Sequence, residues 1–326
     1  MNDNERSETA MKTLLKKIYR ETVEKGINQT RTFLYKEQRK SYGSENPDKT
    51  FYVIRRMDSY IGCGLFSHVI TTVGGIKHAI DNNMIPVIDM MNYPNLYISK
   101  GQLHKVNPWE YWFEQPMGYS VSDIQHSKNV VLGDGKIIEA RPDAKQPKEI
   151  FTRWKEYMDQ YVRLKPDVKK KMEREWNQMF EKSDRVLGVL CRGTDYTSTK
   201  PKNHPIQPSV QMVIDKIDTM VAGGGYSKIF LATEDVRIFN ELKKKYGNML
   251  SVNRKEFVDY VDGKGIGVFH IERENDNYYK GLEYLTSIYF LSKCNGLLMG
   301  HCGGATGALL FNDKYDELFI WDLGRY

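Results

Sequence analysis

The sequence predicts an α/β fold in which two Rossmann-like domains face each other across a cleft. Three observations carry this expectation. Short apolar runs such as Val186-Leu-Gly-Val-Leu recur without interruption, helical patterns alternate with them, and small-residue turns (Gly62-Cys-Gly64, Cys302-Gly-Gly304) open two of the helical patterns. A fully buried strand of a parallel sheet is a continuous apolar run, not an alternating one. At 326 residues the chain has room for two domains of roughly 150 residues each. The expected division is 1–165 for an N-terminal α/β domain with a helical leader and 166–326 for a C-terminal Rossmann-like domain.

Residues 1–48 read as a polar leader, with Met11, Leu14, Leu15 and Ile18 at helical spacing among Lys and Arg. A membrane-surface helix would have this pattern. The apolar face is short, which favours a surface helix docked on the first domain. A first α/β unit follows: a strand from Phe51, a glycine-containing turn at 60–67, a helix over 68–82 and a strand at 85–89. Residues 90–116, rich in Tyr, Trp, Asn and Pro, read as loops with short helices, and 129–132 as a further strand.

Helices dominate 149–182, where Val168, Met172, Trp176 and Phe180 mark one buried face. Beyond them strand and helix alternate: strand 186–190, helix 209–221, strand 228–232, helix 236–246, and short strands near Leu250 and Val268. A helix over 279–293, a strand at 296–300, a helical segment from Gly303 and the run Leu318-Phe-Ile-Trp complete the order. That order predicts a second doubly wound parallel sheet. Glycosyltransferase-B proteins pair two such domains, and so do dehydrogenases and kinases, so the fold alone does not choose an activity.

The net charge of +6 arises from 48 basic against 42 acidic residues and is spread along the chain. No RNP-like, zinc-finger or basic-helix motif accompanies it, so nucleic acid is not an expected partner. Anionic small molecules or an anionic membrane surface account for the excess. Cys63, Cys191, Cys294 and Cys302 form no C-x-x-C pair, so neither a disulfide scaffold nor a zinc site is expected, and no metal is. No apolar signal-peptide region is visible, and no apolar run approaches the ~20 residues that span a bilayer. The expectation is a cytoplasmic protein, at most peripheral to the inner membrane.

Four constellations could carry chemistry. The apolar run 186–190 ends in Cys191-Arg192-Gly193-Thr194-Asp195. Ligands of open α/β sheets sit outside the carboxyl ends of strands, and an arginine there offers a fixed fork of donors to phosphate. The bland alternative is an arginine that caps the strand and pairs with Asp195. Phe230-Leu-Ala-Thr233-Glu234-Asp235 likewise ends a strand, where acids could accept from a guanine edge or ribose, or simply cap the next helix.

The turn His301-Cys302-Gly303-Gly304-Ala305-Thr306 opens a helix and could present N–H groups to phosphate, although its glycines could serve only close packing. It is neither a Walker loop nor a dinucleotide fingerprint. Gly62-Cys63-Gly64 fails that fingerprint as well, because Ser67 stands where the third glycine belongs. No Asp-x-Asp diphosphate–metal clamp occurs, so Arg192 and helix N-termini would have to stabilise a departing diphosphate.

Gly188-Val-Leu-Cys-Arg192-Gly-Thr194-Asp195 followed by His204-Pro-Ile206 resembles the central motif of the α-1,6-fucosyltransferases, to which protein O-fucosyltransferases are more distantly related. Further blocks resemble that family: Leu231-Ala-Thr233-Glu234-Asp235, Phe290-Leu-Ser-Lys-Cys-Asn-Gly296, Tyr60-Ile-Gly62-Cys-Gly64 and Val162-Arg-Leu-Lys-Pro166. The resemblance implies a metal-independent, inverting transferase of glycosyltransferase-B fold. GDP-fucose would be a donor substrate rather than a cofactor, and a glycan the acceptor. It implies that residues 166–326 hold the donor and 1–165 the acceptor. Arg192 would stabilise departing GDP, with Asp195 beside it in the catalytic motif. Gly62, Cys63, Gly64, Thr194, Glu234 (for guanine) and Cys302, Gly303, Gly304, Ala305 and Thr306 (for phosphates) would line the donor site.

Three departures stand out. Leu190 replaces the histidine that begins the family motif, Gly193 replaces its second arginine, and Lys200 replaces a glutamate thought to activate the acceptor hydroxyl. A protonated lysine is a poor general base. Asp195, His204, Asp58 or His68 would then take that role, or the reaction needs little base help. Lys200, His204 and Trp109 are the acceptor-side candidates, Trp109 as a sugar-stacking wall or as interdomain core. The expected function is fucosyl transfer in bacterial surface polysaccharide synthesis. The alternatives are a same-fold transferase with another GDP-sugar and a non-catalytic nucleotide- or glycan-binding protein. The failed fingerprint disfavours an NAD-dependent oxidoreductase.

Overall fold

A computed structural model of the chain describes residues 37–56, 63–135, 148–193, 200, 202–253, 257 and 271–326. The leader helix with Met11, Leu14, Leu15 and Ile18, the residues Asp58, Tyr60, Gly62, Thr194 and Asp195, and the strand expected near Val268 lie outside the described residues.

Two sheets form, as the apolar runs require. The first has the order β1-β4-β2-β3, with β1 Gln38–Lys40, β2 Phe51–Arg55, β3 Ile85–Asp89 and β4 Val130–Leu132. All five residues of β2 are buried, and the strand lies parallel to β3 and β4, with Arg55 level with Asp89. β1 runs antiparallel to β4 at the edge, inside the stretch expected to be leader. Its sequence, Gln-Arg-Lys, is polar throughout, so no apolar period announces it.

The second sheet is wholly parallel, with the order β7-β6-β5-β8-β9. Its strands are β5 Val186–Leu190, β6 Lys228–Ala232, β7 Leu250–Ser251, β8 Gly296–Gly300 and β9 Glu317–Trp321. The helices between them are α5 Val210–Gly224, α6 Val236–Tyr246, α7 Asp276–Leu291 and α8 Gly303–Phe311. Start and stop chemistry is local. Ser209 Oγ accepts the Met212 N–H ahead of α5, and Gly225 ends that helix at φ 63°, a left-handed turn that suits glycine.

The first sheet is covered by α1 Leu65–Asp81, which is buried around most of its circumference. A helix apolar on all sides belongs in an interior, and α1 lies between the first sheet and α8. Gly307 of α8 lets the Phe66 ring come so near that an added methyl would be 2.1 Å from it. Gly281 of α7 does the same for Trp112, at 2.2 Å, on the short helix α2 Trp109–Trp112. One apolar cluster therefore runs from Tyr52 and Ile54 of the first sheet through Phe66, Trp112 and Leu285 to Leu190 and Phe230 of the second.

Helix α3 Lys148–Tyr161 reinforces this join. Its Lys155 Nζ donates to the Leu310 and Phe311 carbonyls at the end of α8, 3.3 Å each. Helix α4 Pro166–Met179 buries Val168 and Met172 as the spacing predicts, and its Glu173 accepts from Tyr289 Oη and Lys293 Nζ. Among the described residues no helix is long and apolar enough to cross a membrane.

Overpacking a filled core costs about 1–3 kcal/mol. Gly307→Ala is expected to destabilise the protein to urea by that amount, whereas Gly101→Ala, where an added methyl meets nothing within 4 Å, leaves stability unchanged. Asp276 provides an acid-side test. Burial pushes its carboxyl up, but Lys280 and Arg273 more than offset this and hold it below the usual aspartate value of 3.8. Its contribution is complete above that value and is lost as pH falls through the lower folded value. The gap in melting temperature between wild type and Asp276→Asn should therefore hold from about pH 6 to about pH 4 and narrow on further acidification.

Candidate functional site

From β5 the chain moves outward to β6 and β7, then returns to β8 on the other flank of β5. The order reverses between β5 and β8, and ligands of open α/β sheets occupy the crevice at such a reversal. Leu190 is level with Ala232 and Met299. The segments beginning at Cys191, Thr233 and His301 therefore leave the sheet side by side.

Arg192 is 14% exposed, and its Nε lies 3.5 Å from Glu234 Oε1. The Gly193 N–H donates to the same oxygen at 3.1 Å. Glu234 is itself buried. A buried guanidinium needs a paired charge and a buried carboxylate needs donors, and this arrangement answers both requirements. The resemblance implies a guanine contact for Glu234; in the structure its carboxylate meets Arg192 and Gly193.

Gly193 has no room for a side chain. A methyl there would lie 2.4 Å from Asp235 Oδ2 and 2.6 Å from Asp235 Cβ. Asp235 is in turn held in place, because its Oδ1 accepts the Arg237 N–H at 2.9 Å as the N-cap of α6 and its Oδ2 pairs with Arg237 Nη2 at 2.7 Å. Of the two readings of Thr233-Glu234-Asp235, helix capping describes Asp235. The same packing crowds any side chain at position 193.

The turn before α8 has Cys302 as its N-cap. Its Sγ accepts the N–H groups of Ala305, at 3.4 Å, and Gly304. Burial raises the Cys302 thiol, while the charge of Arg192 and these two donors oppose the rise. The helix also packs tightly, since a methyl on Gly304 would come within 2.7 Å of Tyr284 Oη. Thr306 donates its N–H to the Cys302 carbonyl at 3.2 Å.

α1 starts at Gly64 with no side-chain cap. Its Leu65 N–H bonds to Tyr97, whose hydroxyl is pushed up by burial against the pull of that donor and of Arg192; Cys63 is close by. The methyl position of Gly303 is 3.8 Å from the Ser67 nitrogen, so the first turns of α1 and α8 lie against each other. Neither turn carries an acidic residue. Two positive helix ends thus converge beside Arg192, an arrangement suited to a multiply charged anion.

Arg56, which is not among the candidates drawn from the sequence, is part of this place. Its Nη1 donates to Ser67 Oγ at 2.5 Å and to Thr71 Oγ1 at 3.4 Å, both on α1. The signal for it is the one that found Arg192: Phe51-Tyr-Val-Ile-Arg-Arg56 is an apolar run ending in arginine. Neighbouring Arg55 points elsewhere, donating to the Gly133 carbonyl and to Tyr93 Oη.

The acceptor-side candidates do not gather here. Of the two readings of Trp109 the structure selects core over sugar-stacking wall: it is 0% exposed, donates its indole N–H to the Glu114 carbonyl at 3.0 Å and stacks on Phe113 at 4.4 Å. It is core and offers no face to a sugar. His204 is exposed, on a stretch tied to the C-terminal residues through Asn203–Tyr326 and Ile206–Gly324 hydrogen bonds. Lys200 is exposed at φ 43°. His68 is buried on α1 with its ring 6.1 Å from that of Tyr97.

No protein-family model matches the chain, and no curated protein matches it by sequence. Solved structures do match. NodZ alpha-1,6-fucosyltransferase, soaked with GDP-fucose, aligns over 84% of this chain and 96% of its own at 13% identity and a TM-score of 0.50. POFUT1 in its apo form aligns over 85% of this chain and 99% of its own at 9% identity and a TM-score of 0.52. The fold is that of these two fucosyltransferases. POFUT1 in complex with GDP matches equally, at 9% identity and a TM-score of 0.52 over 84% and 98% of the two chains. The expected glycosyltransferase-B architecture is thereby found.

Gly193→Ala is expected to destabilise the protein by about 1–3 kcal/mol through overpacking. Adding Asp235→Gly, which removes all three obstructing atoms and leaves a residue tolerated at an N-cap, should recover part of the loss. Chemical denaturation of the single and double variants measures this coupling.

Proposed function

We propose that the chain is an inverting, metal-independent glycosyltransferase that takes its sugar from a GDP-sugar, GDP-fucose first, and passes it to a glycan acceptor. The observation that carries this reading is the position of Arg192 at the β5–β8 reversal, braced by Glu234, at the sheet edge where α8 begins and its first turn meets that of α1. The likeness of fold to NodZ and POFUT1 supports the donor class. In this reading 166–326 hold the donor and 1–165 face the acceptor.

The acceptor hydroxyl oxygen bonds to the sugar C1 as the C1–O bond to the β-phosphate breaks. The electron pair leaves with GDP and the hydroxyl proton passes to a base. Charge grows on the β-phosphate oxygens during this step, and donors fixed in advance stabilise the transition state more than the ground state. Arg192 supplies that charge from a site already desolvated and paired, and the dipoles of α1 and α8 add to it. The Gly304 and Ala305 N–H groups bonded to Cys302 would turn to phosphate, a far stronger acceptor than a thiol. His68, buried on α1 beside Tyr97, and exposed Lys200 and His204 are the described candidates for that base. The net charge of +6 suits work beside an anionic inner-membrane face, on a glycan destined for the bacterial surface.

Loss of a fixed charge donor costs about 10²–10³ in kcat. The double variant Arg192→Ala/Glu234→Gln, which removes the carboxylate otherwise stranded by loss of arginine, should lower GDP release from GDP-fucose by that factor, and Arg192→Lys, which keeps the charge but loses the bidentate fork, by less. Failure of the wild type to bind GDP or to turn over any GDP-sugar would sink the reading.

A further inference from the structure

We propose that Arg56 supplies, from the first sheet, the second cation for the diphosphate of the donor, the one that Gly193 cannot supply from the second. The proposal rests on the nucleotide-sugar reading above and adds a residue to it.

The need comes from charge. A nucleoside diphosphate carries several negative charges on its phosphates, and one arginine offsets one of them. Arg192 is also partly neutralised by Glu234 at 3.5 Å. A side chain at position 193 would crowd Asp235, which is held as the cap of α6.

The position comes from packing. Residues of β2 alternate between its faces, and Ile54 meets Gly75 of α1, so Arg56 turns toward α1 as well. Its guanidinium donates to Ser67 Oγ and Thr71 Oγ1. Ser67 belongs to the turn of α1 that touches Gly303 of α8. Arg56 and Arg192 thus approach the same pair of helix starts from opposite sheets. The planar fork of an arginine matches a phosphate bidentately, a stronger partner than the hydroxyls of Ser67 and Thr71.

The test compares GDP with GMP, since GMP lacks the β-phosphate. A charge-assisted hydrogen bond is worth enough to change affinity roughly 10- to 100-fold. By calorimetry, Arg56→Gln should weaken GDP binding by that factor and GMP binding by less than about threefold, with Arg56→Lys intermediate for GDP. The GDP loss should also shrink as salt is raised. If wild type binds GDP and both variants bind it equally well, or if GDP and GMP weaken alike, the assignment of Arg56 is overturned while the nucleotide reading stands. If wild type binds no GDP, both fall together. Should Arg56→Gln fail to fold, Arg56→Lys, which keeps the charge and the stem, tests the assignment in the same way at smaller amplitude.

Discussion

The contact between α1 and α8 is the constraint on which the rest of this molecule depends. Two helices from different sheets approach closely only where one of them has no side chain, and Gly307 beneath the Phe66 ring is that place. The approach aligns their first turns, so that Gly303 meets Ser67 and two positive helix ends share one location. It also threads the core of one sheet into that of the other. A cleft built this way has a fixed floor.

On that floor, electrostatics follow burial. Arg192 sits where water is scarce, and a guanidinium remains there only with a counter-charge. Glu234 provides it, and because the same oxygen also takes the Gly193 N–H, the loops leaving β5 and β6 are locked together. The arrangement carries a compromise. The acid that holds the arginine in place also weakens its field toward a ligand, which leaves a role for charge arriving from elsewhere.

Much of this was legible in the sequence because buried parallel strands announce themselves as apolar runs. β2, β3, β5, β6 and β8 all did so, and the register of the last three placed Arg192, Glu234 and Cys302 at one edge. What escaped had physical reasons. β1 is Gln-Arg-Lys, an edge strand recognised only by its hydrogen bonds to β4. Trp109 looks like a sugar platform among so many aromatics, yet only packing decides whether such a ring faces solvent. Glu234 and Asp235 are adjacent acids that no local pattern separates, and one became the brace of Arg192 while the other became a helix cap.

The close fit of Gly193 against Asp235 has a consequence for descent as well as for stability. A lineage bearing glycine here cannot gain the paired arginine of the motif it resembles in one step, because the newcomer meets a carboxylate that α6 still requires. Serine or asparagine at the cap would keep the Cβ that lies 2.6 Å away, so only glycine there clears the space fully. Until the cap changes, selection for tighter hold on an anion is channelled to other positions around the cleft. The order in which mutations can be accepted is thus written into a contact of a few ångströms.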